Sequence, residues 1–131
     1  MSQKTKQKRI LLVDDNQSVL AILSDFLKGV GYAVYEAHSS QGAIEVVEEN
    51  LPDLALVDFR MPGVNGIKLM RSLKKIRPLL RVIIYSGYPS MDTAIDALKD
   101  GADDYVTKPF FLDELRRSID QTFEKHESSR P

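Results

Sequence analysis

The sequence predicts an α/β fold, an open five-stranded parallel sheet with helices on both faces. Short apolar runs alternate five times with segments whose apolar residues recur at helical spacing. The connections are short, and such alternation implies right-handed crossovers and therefore parallel strands. Ten elements suit an open sheet better than a closed eight-stranded barrel. At 131 residues the chain has the size of one ordinary domain.

The first predicted strand is the apolar run Ile10–Val13. A helix follows, with Asn16 as its cap and Gly29 or Gly31 as its stop. Its apolar residues recur at helical spacing: Val19, Ile22, Leu23, Phe26 and Val30. The second strand covers Tyr32–Ala37.

The second helix is predicted to begin with Ser40 as its cap and to end before Pro52, because proline lacks the amide that a helix needs. Its inward residues are Ala43, Ile44 and Val47. The third strand, Leu54–Val57, is continuously apolar, as expected for a strand covered by helices on both faces. The turn-rich segment Met61–Gly66 predicts a loop.

The second half of the chain repeats the alternation. The third helix carries four inward apolar residues: Ile67, Met70, Leu73 and Ile76. A strand at Val82–Tyr85 precedes a helix at Met91–Lys99 that is closed by Gly101. The short fifth strand is Tyr105–Val106. The last helix begins near Leu112 and buries three residues: Leu115, Ile119 and Phe123.

Composition excludes several classes of function. The 43% hydrophobic content is enough for a core, and a net charge of −1 gives no general attraction to nucleic acid or anionic membrane. We therefore expect no direct nucleic-acid binding. The absence of cysteine excludes disulfides, thiolate metal sites and cysteine nucleophiles. No apolar stretch approaches the roughly 20 residues that span a bilayer, so we expect a cytoplasmic protein without membrane contact.

Polar residues close four of the predicted strands. Asp14 and Asp15 follow the first and Asp58 follows the third. With the strand order 2-1-3-4-5 these strands flank the switch point, where open α/β sheets bind ligands. Ser86 and Lys108, after the fourth and fifth strands, would reach the same edge. Three clustered carboxylates are costly unless a cation neutralises them, so the set predicts a Mg²⁺ site beside a phosphoryl group.

Each of these residues also has an ordinary structural explanation. Asp14 and Asp15 could cap the first helix. Ser86, which precedes Gly87, could be a turn residue, and Lys108 could be a solvated residue at a strand exit. The five residues in this order are specific to the predicted site, whereas each residue alone is not.

Four motifs occur in order along the chain. They are Asp14-Asp15-Asn16, Val57-Asp58-Phe59-Arg60-Met61-Pro62-Gly63, Tyr85-Ser86-Gly87-Tyr88 and Gly101-Ala102-Asp103-Asp104-Tyr105-Val106-Thr107-Lys108-Pro109-Phe110. With them the chain resembles the receiver domain of bacterial two-component response regulators. The resemblance implies a flavodoxin-like fold, a receiver domain at residues 9–124, and flexible tails at residues 1–8 and 125–131.

The resemblance also implies a role for each matching residue. Asp58 is the implied phosphoacceptor, and its donor is a sensor histidine kinase or a phosphotransfer protein. The implied Mg²⁺ ligands are Asp15, Asp58 and the main-chain carbonyl of Arg60, with Asp14 acting through water. Lys108 pairs with the phosphoryl group. Such a domain is a phosphoacceptor that slowly dephosphorylates itself, not an enzyme that acts on separate substrates.

A conformational switch is implied as well. In this family the residue matching Ser86 moves to bond the phosphate, and the aromatic matching Tyr105 turns inward behind it. The change alters a surface of the fourth helix, fifth strand and fifth helix, which then contacts an output domain or a second copy. The peptide before Pro109 is cis in the family and sets the height of Lys108.

Two positions depart from the commonest family choices. Arg60 lies two residues beyond Asp58, and Tyr88 lies two residues beyond Ser86. Both positions are where family members tune the rate of phosphate loss.

The first helix offers a candidate partner contact. Val19 and Ile22 lie where the family docks its kinase, although both could equally belong to the core.

Three other functions compete with this interpretation. A haloacid dehalogenase-type hydrolase would place its two acids two residues apart, whereas Asp14 and Asp15 are adjacent. A flavin binder would have a hydroxyl-rich phosphate loop after the first strand. A phosphate-independent receiver-like interaction module would not need an intact acceptor, lysine and acid pair.

Both ends are open to interpretation. The basic start could touch nucleic acid or form a solvated tail. The polar stretch after Phe123 is either a true end or the beginning of a linker to an output domain.

Overall fold

The computed structural model describes residues 7–87, 91–107 and 112–128. Within these ranges the elements are β1 (Arg9–Val13), α1 (Gln17–Gly29), β2 (Ala33–Ala37), α2 (Ser40–Asn50), β3 (Leu54–Asp58), β4 (Arg60–Met61), β5 (Val64–Asn65), α3 (Gly66–Ile76), β6 (Arg81–Ser86), α4 (Met91–Lys99), β7 (Asp104–Thr107) and α5 (Leu112–Ser128). The alternation of strands and helices follows the hydrophobic pattern of the sequence.

The main sheet has five parallel strands in the order β2-β1-β3-β6-β7. Because β6 and β7 are the predicted fourth and fifth strands, the predicted order 2-1-3-4-5 is confirmed. The register places Val13 beside Val57 and Asp58 beside Tyr85. The carboxyl ends of β1, β3 and β6 therefore meet at one edge of the sheet.

Two cores cover the two faces of the sheet, because successive side chains of a strand point to opposite sides. The α2–α3 core comprises Leu11, Val13, Ala37, Ala43, Val47, Ala55, Val57, Met61, Ile67, Leu69, Met70, Leu73, Leu80, Val82, Ile84, Ala97 and Ala102. The α1–α5 core comprises Ile10, Leu12, Leu20, Leu23, Leu27, Leu54, Leu56, Ile83, Tyr85, Leu115, Ile119 and Phe123. Each strand interior contributes to both cores, which explains the continuous apolar runs.

Helix α1 has the predicted start and stop but a different buried face. The side chain of Asn16 accepts hydrogen bonds from the amides of Ser18 and Val19, at 2.9 and 3.1 Å. The buried residues are Leu20, Leu23, Ser24 and Leu27. Ile22, predicted on the apolar stripe, is 58% exposed, and Val19 is half-buried. Two apolar stripes overlap on this helix, and the one with three leucines faces the sheet.

Two helices differ from the prediction in detail. The cap of α2 is Ser39, whose hydroxyl accepts from the amide of Gly42 at 3.0 Å, so Ser40 is the first helical residue. In α3 the residue Ile76 is 39% exposed rather than inward, and Leu69 is buried instead. In α2 the error is a shift of one residue between two neighbouring serines, whereas in α3 the exposed Ile76 is the last residue of the helix.

The segment predicted as a loop contains a small antiparallel hairpin. β4 pairs with β5, and Gly63 turns the chain between them with φ of +70°. Glycine adopts such a conformation without the strain that other residues would meet.

Helix α5 runs to Ser128, so the predicted tail from residue 125 begins inside a helix, and residues 125–128 are corrected to helical structure. At the amino end of the sheet, Tyr32 stacks on Phe123 with ring centroids 6.0 Å apart and donates a hydrogen bond to Asp120. These contacts attach α5 to the second strand. In the part of the chain described here, none of the helices has both the length and the apolar content that crossing a bilayer requires.

Candidate functional site

Three carboxylates meet at the carboxyl edge of the sheet. Asp14 and Asp15 follow β1, and Asp58 ends the adjacent strand β3. Each offers one carboxylate oxygen, and these oxygens all lie within 4.8 Å of one another. Asp14 and Asp58 are buried, at 1% and 5% exposure, whereas Asp15 is exposed. The structure thus brings together the three acids that the sequence placed at the switch point.

Asp14 is held from two directions. Its Oδ1 accepts a hydrogen bond from the amide of Asn16 at 2.9 Å, and its Oδ2 accepts one from the hydroxyl of Tyr85. Its own amide donates to the carbonyl of Ala37 at 3.1 Å. The capping position of α1 belongs to Asn16, so capping does not account for the buried Asp14.

Asp58 lies where the chain leaves the sheet. Its Oδ1 accepts a hydrogen bond from the amide of Arg60 at 3.1 Å, and the next amide, of Phe59, donates to the carbonyl of Tyr85 at 2.7 Å. Arg60 begins the short strand β4 and is exposed. The backbone on both sides of Asp58 is therefore fixed, and with it the direction of the carboxylate.

Helix α3 begins against the backbone of Asp58. A Cβ on Gly66 would lie 2.7 Å from the carbonyl oxygen of Asp58 and 2.8 Å from the Cα of Phe59, so only glycine fits there. The amide of Gly66 donates to the carbonyl of Phe59 at 3.1 Å. The side chain of Asn65 caps the helix by accepting from the amide of Ile67 at 2.9 Å. Sequence reasoning identified this segment only as turn-rich.

Tyr85 is the residue that sequence reasoning missed. It is fully buried in β6, beside Asp58, and its hydroxyl bonds the carboxylate of Asp14 and lies 3.4 Å from the carbonyl of Val13. Burial raises the pKa of the Tyr85 hydroxyl, and the hydrogen bond to Asp14 and the charges of the three acids raise it further. The hydroxyl therefore keeps its proton and donates a hydrogen bond to Asp14. Its signals in the sequence were a hydroxyl in an otherwise apolar predicted strand and its place in the motif Tyr85-Ser86-Gly87-Tyr88.

Ser86 and Tyr105 lie on the α2–α3 side of the sheet. Ser86 is buried as the last residue of β6, so it is a strand residue and not a turn residue. Tyr105 pairs with Ile84, and it is half-buried against the α2–α3 core. Side chains alternate along β6, so Ser86 shares the face of Ile84 and Tyr105, whereas Tyr85 lies on the other face.

The other residues predicted for the site are placed as follows. Lys108, Pro109 and Tyr88 lie outside the described residues. On α1, Ile22 is exposed, which excludes the core alternative for this residue, and Val19 is half-buried beside the α1–α5 core.

The donor set suits a hard divalent cation. Carboxylate oxygens are the ligands that Mg²⁺ and Ca²⁺ prefer, whereas softer metals would call for imidazole or thiolate. Three carboxylates at this separation repel one another, and a cation between them would remove that repulsion. The residues present therefore fit the ion that the resemblance implies.

Comparison with known proteins agrees with this geometry. The family model of the response regulator receiver domain matches residues 10–120. The transcriptional regulatory protein ZraR of Escherichia coli K12 is 41% identical over 112 residues, which cover 86% of this chain and 25% of ZraR. The chain thus spans about a quarter of that relative. Sporulation initiation phosphotransferase F of Bacillus subtilis is 32% identical over 112 residues, covering 86% of this chain and 90% of that protein.

Solved structures show the same fold. A CheY-like receiver domain from Methanospirillum hungatei matches with a TM-score of 0.89 and 30% identity, covering 95% of this chain and all of that one. The beryllofluoride-activated NtrC4 receiver domain dimer matches with a TM-score of 0.85 and 32% identity, covering 91% of this chain and 98% of that one. A response regulator from Burkholderia pseudomallei was solved with a phosphorylated aspartic acid, calcium and citrate. It matches with a TM-score of 0.81 and 28% identity, covering 95% of this chain and 76% of that one.

The carboxylate cluster makes a testable prediction about stability. Replacing Asp15 by Asn removes one of three like charges, so without divalent cations the variant should unfold about 3 °C above the parent. Thermal unfolding in a chelating buffer measures the effect, and added Mg²⁺ should shrink it because the parent gains more from the ion. Asp25→Asn, an exposed acid in the middle of α1, is the matched control and should change little. Equal unfolding temperatures for parent and Asp15→Asn in the chelating buffer would show that the cluster carries no appreciable repulsion.

Proposed function

The chain belongs to the response regulator receiver domain family, and from that membership we propose that it accepts a phosphoryl group on Asp58 and changes its partner contacts in response. The observation that carries the proposal is the meeting of Asp14, Asp15 and Asp58 at the switch point of the sheet. The phosphorylated aspartic acid in the Burkholderia pseudomallei relative supports it.

We assign the cation to the same acids. Asp15, Asp58 and the main-chain carbonyl of Arg60 would hold Mg²⁺ directly, with Asp14 acting through water. When bound, the ion supplies positive charge that offsets the carboxylates and the phosphoryl oxygens. The calcium in the Burkholderia pseudomallei structure supports a divalent cation in this family.

Phosphoryl transfer depends mainly on how the protein positions the reacting groups and less on covalent chemistry by the protein. A carboxylate oxygen of Asp58 attacks the phosphorus of a phosphohistidine on a sensor kinase or phosphotransfer protein. The phosphorus–nitrogen bond breaks, and its electron pair stays on the imidazole. The amide of Arg60, 3.1 Å from Oδ1, holds the carboxylate in one orientation during this step. Lys108 would pair with the transferred group. Slow attack of water on phosphorus would later break its bond to the Asp58 oxygen, release inorganic phosphate and restore the carboxylate.

The donor protein is proposed to dock on α1. This helix begins directly after Asp14 and Asp15, so its first turns lie next to the site. Ile22 is 58% exposed and Val19 is half-buried, which leaves an apolar contact that a partner helix could cover.

The phosphate is proposed to act through Ser86 and Tyr105. Ser86 would move to bond the new dianion, and Tyr105 would fill the space behind it, which is consistent with their shared face of the sheet. The readout surface is α4, β7 and α5, where Ile95 and Leu98 are exposed on α4.

Two kinds of partner suit that surface. The NtrC4 receiver dimer supports a second copy of the chain, and the greater length of ZraR supports an output domain. We expect this to take place in the cytoplasm, without direct contact of this domain to nucleic acid or membrane.

Phosphorylation of Asp58 is the central prediction. Incubation with acetyl phosphate and Mg²⁺ should add the mass of one phosphoryl group to the intact protein. Asp58→Asn should abolish the gain because the attacking oxygen is lost, and a chelator should abolish it in the parent. Asp25→Asn should be labelled like the parent. Equal labelling of Asp58→Asn would disprove the assignment to this residue, whereas no labelling of the parent would favour a phosphate-independent interaction module.

The switch predicts a change in amide exchange. Beryllofluoride, added with Mg²⁺ as a phosphate mimic, should slow exchange in β6 and β7 because Ser86 and Tyr105 become ordered by the dianion. Asp58→Asn should show no such change. Ser86→Ala should still accept phosphate yet show a smaller change. Unaltered exchange in the parent would rule out the two-state proposal while leaving phosphorylation intact.

A slow loss of phosphate is predicted from Arg60 and Tyr88. A long cation beside Asp58 cannot accept a proton from the attacking water, and a bulky ring would narrow its approach. The double variant Arg60→Asn, Tyr88→Glu should therefore lose phosphate several-fold faster, as followed by intact mass after removal of the donor. Arg117→Asn, an exposed arginine on α5, serves as control and should match the parent. An equal or slower rate in the double variant would mean that these residues do not guard the site.

A further inference from the structure

The hydroxyl of Tyr85 makes a buried contact that joins two strands separated by a third. Tyr85 lies on β6 and Asp14 follows β1, and β3 runs between these strands. Strands two positions apart are separated by roughly 10 Å, so the ring must cross the face of β3 to reach Asp14. It does so within the α1–α5 core, where Leu56 of β3 is also buried.

We propose that Tyr85 is a positioning residue for the cation site, because its hydroxyl fixes the carboxylate of Asp14 in the orientation that a bound divalent ion uses. The proposal rests on the proposed function, since it concerns the same acids. It assigns Tyr85 no contact with the ion or with the phosphoryl group.

Among the described residues, two donors to Asp14 act on different oxygens. The amide of Asn16 bonds Oδ1, and the hydroxyl of Tyr85 bonds Oδ2. A single donor would leave the carboxylate plane free to turn about its last torsion, whereas donors on both oxygens define that plane. The plane then determines where the remaining lone pairs point.

The energetics also favour a role in the site. Asp14 is 1% exposed and has a carboxylate oxygen within 4.8 Å of those of two other acids, so hydrogen-bond donors are needed to offset the cost of burying its polar oxygens. A phenylalanine would fill the same apolar space at position 85, and burying a tyrosine hydroxyl costs free energy unless a partner accepts its hydrogen bond. The ring of Tyr85 therefore packs in the core, and its hydroxyl contributes the hydrogen bond to Asp14.

Preorganisation links this contact to the ion. A carboxylate that is already oriented loses less freedom when it binds a cation or its water shell. Partners that orient metal ligands typically contribute 10- to 100-fold to metal affinity. The indirect contact of Asp14 to the ion places its effect at the lower end of that range.

The test is the affinity for Mg²⁺ in Tyr85→Phe, followed by the shifts of backbone amide signals in an NMR titration. We expect the dissociation constant to rise about tenfold. Tyr32→Phe is the matched control, because it removes the same atom from another hydrogen bond between a tyrosine and a carboxylate, that of Tyr32 with Asp120. Its dissociation constant should equal that of the parent.

A second comparison shows whether the hydroxyl acts through Asp14. In the background of Asp14→Asn, the change Tyr85→Phe should alter Mg²⁺ affinity by less than about twofold, because the carboxylate that it positions is absent. A further tenfold loss in that background would overturn the proposal. So would an unchanged affinity in Tyr85→Phe, or an equal loss in Tyr32→Phe, which would indicate general softening of the fold.

Two further outcomes have defined meanings. If Tyr85→Phe does not fold, Tyr85→Met fills much of the same volume without a hydroxyl and should show the same tenfold loss; parent-like affinity in it would refute the positioning role. Absence of saturable Mg²⁺ binding in the parent would instead overturn the cation assignment of the proposed function together with this inference.

Discussion

Mutual repulsion of three carboxylates is the constraint around which this molecule is organised. Their oxygens lie within 4.8 Å of one another at the edge of the sheet. Such an arrangement persists only if the groups that carry it cannot move apart. The parallel pairing of β1 with β3 supplies that restraint, because Ile10–Val13 of β1 and all of β3 are buried between two cores. The free energy gained by burying the apolar side chains of the central strands thus holds together charges that would otherwise separate.

The local geometry of the two buried acids follows one pattern. In each, a carboxylate oxygen accepts the amide two residues ahead: Asn16 for Asp14 and Arg60 for Asp58. Such a bond forms where the chain turns sharply on leaving a strand, and it orients the side chain with the turn. Gly66 packs against the turn at Asp58, since its missing side chain lets α3 begin against the carbonyl of Asp58. The backbone at the ends of both strands therefore prepares the site before any ligand arrives.

The sequence predicted the strand order and the meeting of the acids because both depend on local signals. Apolar runs define buried strands, short connections make them parallel, and a residue that closes such a strand must lie at its carboxyl edge. The buried face of α1 could not be predicted from these signals, because two apolar stripes overlap on the helix. Only its packing against the sheet determines which stripe is buried. Ser39 and Ser40 are likewise neighbours of equal capping ability. The contacts of Tyr85 and Gly66 depend on chain segments that meet only in the folded protein.

The end of β6 links the two faces of the site. Tyr85 lies in the α1–α5 core and reaches the acid that follows β1, while Ser86, the next residue, shares the α2–α3 face with Tyr105. In the proposed switch, a displacement of Ser86 toward a phosphate on Asp58 would also move Tyr85, because one peptide unit joins the two residues and the hydroxyl of Tyr85 bonds Asp14. The carbonyl of Tyr85 also accepts a hydrogen bond from the amide of Phe59, the residue directly after Asp58. The proposed cation site and the proposed phosphate switch therefore share a short piece of backbone, so we expect the two to be coupled thermodynamically.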